Sequence, residues 1–126
     1  MKTEIASKPS LVVKNGIHGR GVFATRKINK NTIIFKMHGE FINKPTQTSV
    51  QIGEGMHIED ALAGLVNHSC EPTAKVDRQL HAFMSLRDIE PNEEITFNYN
   101  SNEDNIAAPF KCECCGKKIC GKKAIK

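Results

Sequence analysis

Apolar residues in this chain come in short runs broken by glycine, proline, asparagine and lysine, and helical spacing is scarcely sustained anywhere. Pro9 precedes Leu11-Val12-Val13, a β-branched run that predicts a first strand. "NGIHGRG" (15–21) has three glycines in seven residues and predicts a turn-rich loop whose backbone can lie close to another group. "VFATRKINKNTIIFKMHGEF" (22–41) reads as strand, Lys/Asn turn and strand; "NKN" suits tight or left-handed geometry, and "TIIFKM" has strong β propensity. "INKPTQTSV" (42–50) reads as loop, and "VQIGEGMHI" (50–58) as two short strands around Gly53–Gly55. Acids at the start of "EDALAGLV" (59–66) and its Ala/Leu spacing predict a brief helix, which Gly64 keeps short. "HAFMSLRDI" (81–89) predicts a strand and "EPNEE" (90–94) a turn, with Asn92 able to take the left-handed conformation. "EITFNY" (94–99) alternates, placing Ile95, Phe97 and Tyr99 on one face. The sum is a mostly β domain of short strands and small sheets.

Composition narrows the classes. At 126 residues, with 39% hydrophobic and 25% charged residues, the length and balance fit one soluble domain. No apolar run approaches the ~18 residues of a membrane span, and Met1-Lys2-Thr3-Glu4 does not begin like a signal peptide. The expectation is an intracellular protein, cytoplasmic or nuclear according to its host, with no membrane partner. Net charge is +4, and six lysines between Lys111 and Lys126 face the single acid Glu113. No aromatics are interleaved with them, so a solvated tail is favoured over a nucleic-acid surface. Five cysteines is an odd number, and four of them (Cys112, Cys114, Cys115, Cys120) fall within nine residues. A disulfide framework would spread an even set along a secreted chain, whereas clustering points to metal in a reducing compartment.

Four stretches carry candidate chemistry: "GRGVFA" (19–24), "NHSCEP" (67–72), "NEEITFNY" (92–99) and "FKCECCGKKICG" (110–121). Singly, each has a plain structural reading as a turn, a capped loop or the rim of a core. The cysteines alone could make a Cys₄ zinc site, since structural zinc takes four ligands, but adjacent Cys114 and Cys115 would strain to hold one ion.

In this order and at these separations the four stretches resemble the SET-domain family of protein-lysine methyltransferases. They match, in turn, its glycine motif, its Asn-His-Ser-Cys-x-Pro motif, its Gly-Glu-Glu-Leu-Thr-Phe-Asp-Tyr strand and its zinc-binding post-SET segment. The resemblance implies a SET-type fold with a knot-like threaded segment, divided as an N-terminal segment (1–10), a SET-like domain (11–109) and a post-SET-like zinc segment (110–126). It implies S-adenosylmethionine as methyl donor, with the Gly19-Arg20-Gly21 backbone and Asn67 at its methionine part and the His68 backbone at its adenine. It implies Tyr99 as the hydroxyl beside the transferring methyl. Phe97 would set the product, because an apolar ring leaves room for a second or third methyl. It also implies that Cys70 joins Cys112, Cys120 and one of Cys114 and Cys115 around Zn²⁺, whose thiolate charge the flanking lysines offset.

The sequence departs from the family pattern in Thr73, Asn92 and Asn98, which stand where Asn, Gly and Asp are usual. No aromatic follows Cys120, and Tyr99 is the only tyrosine. The expected partner is a lysine-containing protein, with a basic histone-like tail as the family's common class; oligomeric state is not legible. Two rivals remain: a catalytically weak SET-fold module that binds cofactor or peptide, and a small zinc-containing nucleic-acid-binding protein.

Overall fold

A computed structural model describes residues 11–16, 19–107, 109–112, 116 and 118–121. The expectations for residues 1–10, Cys114, Cys115 and Lys122–Lys126 lie outside the described residues. In chain order the strands are β1 (Leu11–Gly16), β2 (Gly19–Ala24), β3 (Ile33–Lys36), β4 (Glu40–Ile42), β5 (Ser49–Gly53) and β6 (Met56–Glu59). After a 3₁₀ turn at Ala63–Leu65 come β7 (Asn67–His68), β8 (Ala74–Asp77), β9 (Ala82–Ser85) and β10 (Glu94–Phe97). One helical turn, α1 (Tyr99–Asn102), leads to β11 (Phe110–Lys111) and β12 (Lys118–Ile119). The mostly β expectation holds.

The strands make small sheets in the orders β1-β2-β10-β7, β3-β9-β8, β4-β6-β5 and β11-β12. The aromatic core joins the first two: Phe83 stacks on Phe35 at 5.0 Å and meets Phe97 edge-on at 5.2 Å. Val22, Ala24, Ile34, Ile89 and Ile95 close around them, all fully buried. Both asparagines expected in left-handed geometry adopt it, Asn31 at φ 63° and Asn92 at φ 71°. Among the described residues no helix is long and apolar enough to cross a membrane.

Three local expectations need correction. The loop expected at 15–21 is largely strand, because β1 and β2 pair from Leu11↔Ala24 down to Gly16↔Gly19. Backbone pairing overrides the glycine content. The brief helix is shorter than expected. Asp60 Oδ1 accepts from the Leu62 and Ala63 N–H groups and starts a turn, which ends where Gly64 lies against Thr48. A Gly64 Cβ would sit 2.8 Å from Thr48 Cβ, so the close approach fixes the glycine. Third, β10 stops at Phe97. Asn98 caps α1 through Oδ1, accepting from Ser101 N at 3.2 Å, so Tyr99 leaves the strand's alternation.

The arrangement that matters most is the position of β10. It pairs antiparallel with β2 (Ile95↔Val22) and parallel with β7 (Thr96↔Asn67, Phe97↔His68). Three of the four sequence motifs thus become neighbouring strands.

Candidate functional site

Where β2, β10 and β7 meet, Asn67 Nδ2 donates to the Arg20 carbonyl at 3.0 Å and to Glu94 Oε2 at 2.6 Å. Gly21 makes this possible. A Cβ there would fall 2.3 Å from Glu94 Oε2 and 2.9 Å from Asn67 Nδ2. Gly19 takes φ 85°, with nothing near its Cβ position. Carbonyl, amide and carboxylate therefore converge on a cradle that only glycine leaves open.

Tyr99 occupies the next position along. Its hydroxyl donates to the Val66 carbonyl at 2.7 Å, and its backbone N–H donates to His68 Nδ1 at 3.0 Å. Burial, then the nearby Glu103 and Glu94 carboxylates, push the phenol well above its ordinary range. Tyr99 therefore stays a neutral hydroxyl. His68 is held as acceptor on Nδ1, and burial lowers its pKa, so its ring is engaged in structure rather than free to take a proton. Phe97 is buried, yet it packs on Tyr99 at 4.8 Å and lines the cavity beside it. Packing and lining are one role here.

That cavity, of about 30 Å³, lies between the Pro45–Ser49 loop, Val66, Phe97, Tyr99 and Glu103. Its walls mix apolar side chains (Val50, Val66, Phe97, Ile106) with hydroxyl and amide groups (Thr46, Thr48, Ser49, Asn105). Glu103 is buried at 5% exposure and its carboxyl is pushed up by that burial.

The cysteines also gather. Cys70 Sγ lies 3.5 Å from Cys112 Sγ and 3.6 Å from His68 Nε2, and these three donor atoms fall within 4.8 Å of one another. Tetrahedral zinc with sulfur at ~2.3 Å separates its thiolates by about 3.8 Å, so the spacing fits an ion. Cys112 and Cys120 are buried, and Cys70 is disulfide-bonded. A disulfide and a zinc thiolate make opposite demands on Cys70, and redox state decides between them. Cys120 is fixed through its backbone: its N–H and that of Gly121 both donate to Asn100 Oδ1, one residue beyond Tyr99.

The family model for the SET domain matches residues 19–100, more than half of the chain. The chain belongs to the SET domain family. Its SET domain is 40% identical over 75 residues to "Methyltransferase flvH" of Aspergillus flavus, covering 56% of this chain and 42% of that protein. It is 28% identical over 133 residues to human "Histone-lysine N-methyltransferase 2B", covering 86% of this chain but 5% of the relative. A Candida glabrata "Histone-lysine N-methyltransferase, H3 lysine-36 specific" is 31% identical over 128 residues, covering 82% of this chain and 18% of the relative. The chain thus spans less than half the length of the relatives it matches.

Within this SET domain the geometry brings together Gly19, Arg20, Gly21, Asn67, His68, Phe97, Tyr99, Cys70 and Cys112. Two residues escaped the sequence reading. Phe110, 40% exposed, sets its ring edge-on at 6.0 Å to both His68 and Tyr99. An aromatic wall does exist, placed before the cysteines instead of after them. Glu103 escaped because nothing in "NSNED" distinguishes one solvated acid from a buried one.

Proposed function

We propose that this SET domain is a protein-lysine methyltransferase that takes its methyl group from S-adenosylmethionine. The observation that carries the reading is the convergence of Gly21 on β2, Asn67 on β7 and Tyr99 just past the end of β10, with a small cavity beyond the tyrosine. When bound, the cofactor supplies an electrophilic methyl on a sulfonium, so the protein need only align a neutral amine, exclude water and favour charge passing between them. The Gly19–Gly21 backbone, Arg20 carbonyl and Asn67 amide hold the cofactor's amino-acid end. The His68 backbone holds the far end, with the Phe110 ring beside His68. Tyr99, neutral and anchored on Val66, presents its oxygen and its π face to the transferring methyl.

Cys70, Cys112, Cys120 and one of Cys114 and Cys115 hold a structural zinc that ties the C-terminal segment to the Tyr99 turn, with His68 Nε2 as a competing donor. Phe97 leaves an apolar wall that accommodates a methylated amine, so products extend beyond monomethyl-lysine. Phe97→Tyr should restrict them to one methyl without losing the first transfer, read by mass spectrometry of one substrate with both proteins; a wild type that stops at one methyl contradicts this. Relatives named for histone H3 lysine-4 and lysine-36 support a basic, histone-like substrate without choosing the lysine.

The test is incubation with tritiated S-adenosylmethionine and mixed core histones or cell lysate. Label should enter protein and should vanish in Tyr99→Phe. Cofactor binding without transfer to any protein would favour a binding module instead.

A further inference from the structure

Among the described residues Glu103 is the only charged side chain lining the cavity beside Tyr99; the other walls are aliphatic, aromatic, hydroxyl or amide groups. An ionised carboxylate at 5% exposure is costly unless it has partners. Both hydrogen bonds that Glu103 accepts land on one oxygen, Oε2: from Gln51 N at 2.8 Å and Asn102 Nδ2 at 2.6 Å. Oε1 accepts none among the described residues. Arg78 attracts Glu103, but its guanidinium donates to the Asn102 carbonyl, and its attraction ranks below burial and both hydrogen bonds. Asp104, the acid next door, is engaged by Gln51 in both directions: it accepts from Nε2 at 2.8 Å and donates its N–H to Oε1.

A glutamine at position 103 would accept the same two hydrogen bonds without the penalty of a buried charge. The carboxylate therefore has work that its intramolecular partners do not account for. A small cavity walled by aliphatic, aromatic and neutral polar groups, with one carboxyl whose Oε1 accepts no hydrogen bond among the described residues, matches an alkyl stem ending in a cation.

We propose that Glu103 is a substrate-positioning residue, the carboxylate that receives the ammonium of the lysine side chain entering beside Tyr99. The assignment rests on the methyltransferase reading for the identity of that side chain. The cavity as it stands has room for one or two waters. The stem therefore enters past the Pro45–Thr48 lip, which is not paired in any sheet. Glu103 Oε1 holds the ammonium until it gives up its proton to solvent, and the neutral amine then turns to the methyl at Tyr99. No bond to Glu103 forms or breaks.

The experiment uses the full chain, ¹⁵N-labelled, titrated with n-butylammonium chloride and separately with 1-butanol, which shares the stem but lacks the charge. The amides of Val66, Tyr99 and Ile106 should shift with the cation at concentrations about tenfold or more below those needed for the alcohol, the ratio expected of a hydrogen bond to an ionised group. Glu103→Gln should erase that preference while keeping a folded spectrum, and Glu103→Asp should keep part of it. Equal response to both probes, no response of these amides to either, or a preference that survives Glu103→Gln overturns the proposal. S-adenosylmethionine titrated into the same samples reads the methyltransferase assignment separately. Absence of cofactor binding with the cation preference intact would sink that assignment and leave the cation pocket standing.

Discussion

Gly21→Ala is the substitution whose consequence the structure specifies most fully. The new Cβ would fall 2.3 Å from Glu94 Oε2 and 2.9 Å from Asn67 Nδ2, and both atoms are the far ends of flexible side chains. They can swing away, so the backbone keeps its course and the fold survives. What is lost is the 2.6 Å hydrogen bond between them and the geometry it gives the Asn67 amide. A hydrogen bond to a charged group contributes about 1.5–3 kcal/mol, so S-adenosylmethionine affinity should fall by roughly tenfold to a hundredfold. Two other glycines serve as controls. Gly19→Ala meets no atom but must hold φ 85°, a conformation costing about 1–2 kcal/mol for a residue with a side chain, so stability drops more than affinity. Gly39→Ala would put Cβ 1.4 Å from the Glu59 carbonyl oxygen, which is backbone and cannot yield, so folding itself should suffer. Calorimetric titration with the cofactor, beside thermal melts, separates the three. Wild-type affinity in Gly21→Ala would refute the placement of the cofactor in this cradle.

Tyr99→Phe removes the hydroxyl that donates to Val66 and should cost about 1 kcal/mol of stability. Turnover should fall by orders of magnitude at nearly unchanged cofactor affinity, as single-turnover assays would show; an active Tyr99→Phe refutes the role. Metal analysis of protein purified under reductant should give about one zinc per chain, lost in Cys112→Ser and in Cys70→Ser. Full zinc in both variants, or a Cys70 disulfide that survives reductant with no zinc, would contradict the shared site. Burial and then Arg78 lower the pKa of His57, with Asp104 opposing, and its Nδ1 is buried without a hydrogen bond among the described residues. The unfolded chain therefore takes up the proton first. Stability should fall as pH drops below the ordinary value of 6.5 and level off below the depressed one. His57→Gln should flatten part of that slope in urea titrations, His68 contributing the rest in the same sense; an unchanged slope refutes it.

Much of this fold was legible because its strands declare themselves locally. Leu11-Val12-Val13, Ile33–Phe35 and the pair flanking Gly53 and Gly55 are β-branched or aromatic runs bounded by turn residues, and each is a strand. Asn31 and Asn92 took the left-handed turns their chemistry favours. By contrast, β8, "AKVD", has no run of its own and exists because β9 offers it a partner from Ala74↔Ser85 to Asp77↔Ala82. Strand pairing at a distance leaves no trace in a window of four residues. The site divides along the same line. Glycines, Asn67 and Tyr99 were legible as an ordered set of motifs, whereas the buried state of Glu103 depends on Gln51, fifty-two residues away. Phe110 looked like a residue beside the cysteines until it met His68 and Tyr99 in space.

The most direct test of the central claim is tandem mass spectrometry of histone or lysate proteins incubated with S-adenosylmethionine and either wild-type or Tyr99→Phe protein. Wild type should add methyl groups that fragment ions place on lysine Nζ, and the variant should add none. Methylation located on any other atom, or no methylation while the cofactor binds tightly, would contradict it.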